Sequence, residues 1–289
     1  MKLYAPSYYK DFVCKADQCQ NSCCIGWEID VDEKSFSKFN TLSGTYSNTI
    51  RESIAQGENP HFILGNNDRC PHLNECGLCN IILNVGEEYL CDICREHPRF
   101  YNYTNRGKEV GIGMSCEEAC RIILSSDDFD DFVLLEDTDG EIDACEFDAL
   151  QYREELFGFL KNSSFPFSQK VAVICKYYDL PLDEERILDC LGKLEYLDES
   201  HKKIFLGFSL MINTKVLDCK LNRALAYFIY RHCSEALNFE ELRSSLSFSL
   251  ICTLLIASIS DSSNIEDMAR IVSEELEYSL ENTEAIKYL

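Results

Sequence analysis

Eleven of the seventeen cysteines fall between Cys14 and Cys120, and they come in groups. Cys14, Cys19, Cys23 and Cys24 stand in DFVCKADQCQNSCCIGW; Cys70, Cys76, Cys79, Cys91 and Cys94 stand in CPHLNECGLCNIILNVGEEYLCDIC, followed by Cys116 and Cys120. Two residues lie between Cys76 and Cys79 and two between Cys91 and Cys94, with eleven between the pairs. That spacing lets two tight turns aim four thiolates at one centre. Tetrathiolate sites suit zinc and iron–sulfur clusters alike, and spacing does not choose between them. A closed structural zinc site needs only four ligands, so eleven thiols exceed one such site.

The rest of the chain must position these thiols. With 289 residues, 46% of them hydrophobic, it is long enough to bury a sizeable core without disulfides, and the cysteine count is odd. The opening MKLYAPSYYKDF lacks the apolar stretch and cleavage site of a secretory signal, which points to a reducing cytoplasm where thiols stay available for metal. Fifty acidic against 27 basic residues give a net charge of -23, which disfavours nucleic acid and anionic lipid and suits a basic or lysine-bearing protein surface. The apolar LSFSLICTLLIASIS from Leu246 is interrupted by serines and is shorter than the roughly 20 residues of a membrane span, so it reads as a buried helix.

Composition divides the chain into a cysteine-rich metal-cluster domain (1–124), an acidic linker (125–148) and an α-helical domain (149–289), a mainly α protein. The linker carries eleven acidic residues and no basic one. Its LEDTDGEIDACE places Asp137, Asp139, Gly140, Ile142 and Glu146 as a calcium loop would, but Leu135 stands where the first carboxylate is needed, so it reads as linker. Beyond it, apolar residues recur at helical spacing: Ala149, Tyr152, Leu156 and Phe159; Ile187, Leu188, Leu191 and Leu194; Leu221, Leu225, Phe228 and His232. A further helix with the stripe Ile265, Met268, Val272 and Leu276 is expected to start at a capping box of Ser263 and Glu266. Cys190, Cys219 and Cys252 read as small buried hydrophobes on these helices. In the first half only Trp27, Ile29 and Val31 alternate like a strand, and metal ligation is the expected substitute for a missing core.

The segments YYKDFVC, CQNSCCIGWEIDVD, CPHL, GLCNI, GEEYLCDICREHPRFY and MSCEEACR resemble, in order, the motifs of the flagellin lysine-N-methylase family and of the broader cysteine-rich zinc- or iron-chelating domains. The resemblance covers residues 4–124 and continues through LNRALAYFIYRHC. Carried over, the family's cysteines fall on Cys14, Cys19, Cys23, Cys24, Cys70, Cys79, Cys91, Cys94 and Cys116; Cys76 and Cys120 are additions, and Glu117 replaces a proline. The resemblance implies methyl transfer from S-adenosylmethionine to flagellin lysines and a four-iron four-sulfur (4Fe-4S) cluster. The competing reading is a non-catalytic zinc or iron–sulfur module serving as a structural or interaction protein.

Lysine methylation requires a neutral amine from a group with a pKa of about 10.4, which an aromatic pocket or a proton acceptor would provide. Trp27, the sole tryptophan, follows the paired cysteines and is the candidate aromatic wall; Arg99 in CREHPRFY is the candidate clamp for a donor carboxylate. His97 beside it is a turn residue or a metal ligand. No Gly-rich nucleotide turn is present, since Gly111–Gly113 is too short, so the methyl donor's site is unassigned.

Overall fold

The computed structural model describes residues 1–140, 146–211 and 217–289. In chain order the elements are β1 (Lys2–Pro6), α1 (Glu33–Thr41), α2 (Ser47–Glu52), β2 (Ile54–Ala55), β3 (His61–Phe62), α3 (Asn80–Val85), α4 (Asp92–Glu96), β4 (Arg99–Thr104), β5 (Gly107–Ile112), α5 (Glu117–Ser125) and β6 (Phe132–Asp137). Then come α6 (Ala149–Asn162), α7 (Phe167–Tyr178), α8 (Glu184–Leu191), α9 (Glu199–Phe205), α10 (Asp218–Cys233), α11 (Phe239–Ile259), α12 (Ile265–Glu277) and α13 (Leu280–Lys287). The fold is mainly α.

Two compact units emerge, Val13–His97 and Met1–Phe12 together with Pro98–Leu289. This differs from the boundary expected at 125–148. The acidic run carries FVLL within it, and that stretch is strand β6, paired antiparallel to β1 from Pro6↔Phe132 to Lys2↔Asp137. Phe129, Phe132 and Phe147 pack on the larger core, so the segment is built into the fold. Ile142 of the calcium-like loop lies outside the described residues.

In the larger unit a four-stranded sheet runs in the order β4-β5-β1-β6, with β1 parallel to β5 and β4 antiparallel to β5. Gly107 at the β4–β5 turn has φ +139°, and a Cβ there would lie 2.5 Å from the Lys2 carbonyl, so only glycine lets β1 close on β5. The expected helical stripes fall on α6, α8, α10 and α12, except Leu194, which lies past the end of α8, because residues at 3.6 spacing share one face. α10 and α11 form the centre, and α11 is buried along most of its length. Among the described residues α11 is the one helix long and apolar enough to cross a membrane by length and composition; its burial inside the fold fits the buried helix expected.

Part of the acidic excess starts helices. Asp148, Asp183 and Asp198 accept amide hydrogen bonds at the N-termini of α6, α8 and α9, where carboxylates also meet the helix dipole. The Ser263–Glu266 capping box does not form. Ser263 donates to Asp261, Asp261 N–H donates to Asn264, and Glu266 is drawn to Lys220 at 2.6 Å. Of the three cysteines read as buried, Cys252 is buried, Cys190 is half-buried and Cys219 is exposed.

Buried Glu275 ties the loop before α9 to α12: it accepts from the amides of Leu197 and Asp198 and lies 2.6 Å from His201 Nδ1. The hydrogen bond to Glu275 raises the His201 pKa above its ordinary 6.5. A raised histidine contributes stability that is fully present below the unfolded pKa and fades as pH rises through the folded one. The gap in unfolding free energy between wild type and His201→Gln, from urea titrations, should therefore be largest near about pH 6 and shrink toward about pH 9.

Candidate metal centre

Within Val13–His97 the two cysteine groups are joined by backbone. Cys70 N–H donates to the Cys24 carbonyl at 2.9 Å, Ile25 and Arg69 form an antiparallel bridge, and Gly26 N–H donates to Asp68. These bonds lay the paired-cysteine segment against the start of CPHL. The expected strand at 27–31 is only partly realised: Ile29 and Val31 are buried while the ladder is reduced to an Asp30–His61 bridge and amide bonds to Pro60 and from Phe62.

CPHLNECGLCN folds as one tight loop. Asn74 Oδ1 accepts from the amides of Cys76 and Leu78, both at 2.9 Å, and Leu73 bridges Cys79, which precedes α3. Cys76 is exposed on that turn. Cys91 precedes α4 and Cys94 lies within it. Asp32 holds this part in place, accepting from Ser35 N–H to cap α1 and from Asp92 N–H at the start of α4, each at 2.9 Å.

The result is a set of five thiols, Cys24, Cys70, Cys79, Cys91 and Cys94, set in or against the small apolar core with Phe39, Ile50, Ile54 and Phe62. Four of them feel the charge of at least one other. Burial, then the neighbouring thiols Cys91, Cys24, Cys70 and Cys79, pushes Cys94 far up; burial followed by the Asp32 carboxylate pushes Cys91 to about 12. Burial pushes Cys70 to about 11, with Cys24 and Cys79 adding to it, and raises Cys79. Cys24 runs the other way, to about 7, because a hydrogen bond from Cys23 outweighs its burial and Ser22 and Arg69 assist. Among the described residues no three His, Cys, Asp or Glu side chains stand close enough to hold a metal ion as they are.

The other expected ligands are placed differently. Cys14 is exposed, its Sγ accepting from Ala16 N–H; Cys19 is half-buried and Cys23 exposed beside Cys24. Cys116 belongs to the larger unit, where it precedes α5. Trp27 is half-buried in the smaller unit. Arg99 belongs to the larger one, its Nε donating to Tyr9 Oη at 2.8 Å and its guanidinium over the Tyr9 and Phe12 rings.

Sequence reading passed over His72, which is fully buried at the heart of the smaller unit. Its Nδ1 lies 2.8 Å from Tyr46 Oη, its Nε2 2.9 Å from Ser53 Oγ, and its ring packs edge-on to Phe62. A histidine between cysteines suggests a ligand, yet both nitrogens serve the scaffold. Also unread was the buried cluster of α10 and α12, where Glu277 accepts from Tyr227 at 3.0 Å and meets Arg231 at 3.2 Å and His232 at 2.7 Å. Burial would raise the Glu277 carboxyl, but Arg231, His232 and Ser273 hold it below the ordinary range.

The chain is similar to three curated bacterial proteins. It is 26% identical over 133 residues to the lysine-N-methylases of Salmonella choleraesuis (strain SC-B67) and Salmonella typhimurium (strain LT2), an alignment covering 43% of this chain and 32% of each relative. It is equally similar to the flagellar biosynthetic protein FliU of Salmonella muenchen, there covering 77% of the relative. The chain thus spans about a third of the length of the lysine-N-methylases it matches. No family model and no solved structure matches. These similarities support the relationship to the flagellin lysine-N-methylases that the motifs suggest.

Replacing His72 by Ala leaves a cavity and removes one partner each from Tyr46 and Ser53. The expected cost is about 2–4 kcal/mol. Hydrogen exchange of the β2–β3 and α3 amides should show it as faster opening of Val13–His97.

Proposed function

We propose that the chain is a protein-lysine N-methyltransferase that takes the methyl group of S-adenosylmethionine to lysines of flagellin or a similar surface protein. In this reading it works in the cytoplasm and holds a thiolate-bound metal, an iron–sulfur cluster or zinc. The observation that carries the reading is the similarity to lysine-N-methylases and a flagellar biosynthetic protein, joined to the gathering of thiols from both shared motif groups. The net charge of -23 favours approach of a cationic, lysine-bearing substrate.

Thiols that raise one another's pKa are the donor chemistry that a thiophilic cation relieves, since it binds the deprotonated form. Cys24, Cys70, Cys79, Cys91 and Cys94 would hold it, drawing in from their present separations. Of the cysteines carried over from the family, Cys14, Cys19, Cys23 and Cys116 remain proposed ligands on resemblance alone. The bound metal would supply folding energy to a unit of short elements. In the methyl transfer itself a neutral lysine amine attacks the methyl carbon, the carbon–sulfur bond breaks to leave a thioether, and the amine sheds its proton to solvent. Trp27 as a wall for the amine and Arg99 as a clamp for the donor's carboxylate remain separate proposals from the sequence, each within its own unit.

The enzyme reading is tested by incubating the protein with methyl-labelled S-adenosylmethionine and flagellin under reducing, anaerobic conditions. Label in lysine is expected; its absence with intact, metal-loaded protein favours the non-catalytic module. For the metal, anaerobic preparations of Cys94→Ser should lose most bound iron or zinc while Cys76→Ser keeps it. Equal metal content in the two variants would remove Cys94 from the centre.

A further inference from the structure

Five aromatic rings of the larger unit form a continuous row. Phe147 stacks on Tyr152 of α6 with centroids 5.3 Å apart, and Tyr152 meets Phe239, the first residue of α11, at 5.9 Å. Phe239 stacks on Tyr178, the last residue of α7, at 6.1 Å, and Tyr177 turns edge-on to Tyr178 at 5.0 Å. The row therefore joins the ends of three helices. Tyr178 is buried and anchors it, whereas Tyr177 is 71% exposed, Phe239 41%, and Leu237, two residues before it, 66%. Ring-on-ring packing explains the buried end of the row. It gives no reason for Tyr177, Phe239 and Leu237 to stay in water, and exposed apolar surface gathered in this way marks a place where another molecule binds.

The charge around the row indicates which kind of molecule. Asp179 and Glu240 share one guanidinium, that of Arg243, at 3.6 and 3.5 Å, and their side chains are 97% and 81% exposed. Arg243 is itself engaged with backbone, donating to the carbonyls of Tyr178 and Asp179. Burial chiefly, and then the charge of Glu155, raises the Tyr178 hydroxyl, so a third carboxylate stands near the row. Glu155 meets the neutral Gln151 amide at 3.2 Å and, among the described residues, no cation. Lys176, one residue before Tyr177, is the other cation at this end. A guanidinium lies flat on aromatic faces and pairs a carboxylate through two nitrogens, which an ammonium cannot do. The same combination occurs inside the fold, where Arg153 lies 4.5 Å from the Phe132 ring while bonding Glu109 through two nitrogens.

We propose that this row is a docking surface for an arginine-bearing segment of a protein partner, its guanidinium groups laid on Tyr177 and Phe239 and paired with Asp179 and Glu240. Recognition of this kind goes beyond the methyl-transfer reading and holds whether or not the chain transfers methyl groups.

Fluorescence anisotropy of the whole protein with a short labelled peptide of alternating arginine and serine tests this by binding alone. The arginine peptide should bind, and the matching lysine peptide should bind about tenfold more weakly. Tyr177→Ser removes a ring that is mostly in water, leaves the net charge as it is, and should weaken binding of the arginine peptide about tenfold. Asp179→Asn together with Glu240→Gln should weaken it to a similar degree; Asp179 has φ 52°, a conformation that asparagine accepts. Tyr288→Ser, which removes a ring equally exposed at 72%, is the control and should leave binding unchanged. Equal binding of the lysine peptide, undiminished binding in Tyr177→Ser, or an equal loss in Tyr288→Ser reduces the attraction to the overall charge of -23 and overturns the surface. No binding of the arginine peptide to the wild type overturns it as well. Each of these results leaves the methyl-transfer reading to its own assay.

Discussion

Burying thiols within reach of one another's charge is the constraint on which Val13–His97 depends. Cys70 and Cys91 are almost fully buried, and Cys24, Cys79 and Cys94 pack against them. Four of the five, Cys70, Cys79, Cys91 and Cys94, resist ionisation, chiefly because they are buried and then because neighbouring thiolates add to the cost, while Cys24 runs the other way. The backbone bond from Cys70 to Cys24, the Asn74 turn and the double use of Asp32 all act to hold three separate chain segments at this one place. His72 completes the arrangement: by satisfying both ring nitrogens from Tyr46 and Ser53, it anchors the loop that carries Cys70 and Cys79.

The larger unit meets a related difficulty with charge. It buries Arg153 with Glu109, and Arg231 and His232 with Glu277, deep in an otherwise apolar helical core. Paired and hydrogen-bonded, such groups are tolerated; removal of one partner leaves a charge without compensation. Aromatic rings add to the pairing, with Phe132 under the Arg153 guanidinium at 4.5 Å and Phe100 and Tyr278 each 4.9 Å from that of Arg231. Both pairs connect distant parts of the chain, so they fix how α6, α10 and α12 dock on one another and on the sheet.

What the sequence made legible follows from what periodicity reports. Leu156, Ile187, Leu221, Leu225 and Val272 recur at helical spacing because one helix face is buried, and each lies in a core-facing helix. Strand β6 escaped because its four apolar residues sit inside a run of acids, where composition masks pairing. The Ser263 cap failed because Asp261 offered Ser263 a nearer acceptor. At the thiol cluster, spacing pointed to Cys76 with Cys79, whereas resemblance demoted Cys76, and the fold places Cys76 on an exposed turn. Spacing reports only loop length. It is silent on backbone bonds such as Cys70 to Cys24, which decide which thiols meet.

The place of the thiols bears on what a metal would do there. Methyl transfer from a sulfonium to an amine is a displacement in which no electron changes hands, so it sets no requirement for a redox centre. The thiols are part of the apolar cluster formed by Phe39, Ile50, Ile54 and Phe62, in a unit whose helices are five to nine residues long. Helices this short are unstable alone and draw their order from what they pack on. A metal drawn into this cluster would link the segments of Cys24, Cys70, Cys79 and α4, which makes stabilisation of the unit its first physical consequence. The surplus of thiols over a closed four-ligand site then matters less for chemistry than for where the chain is pinned.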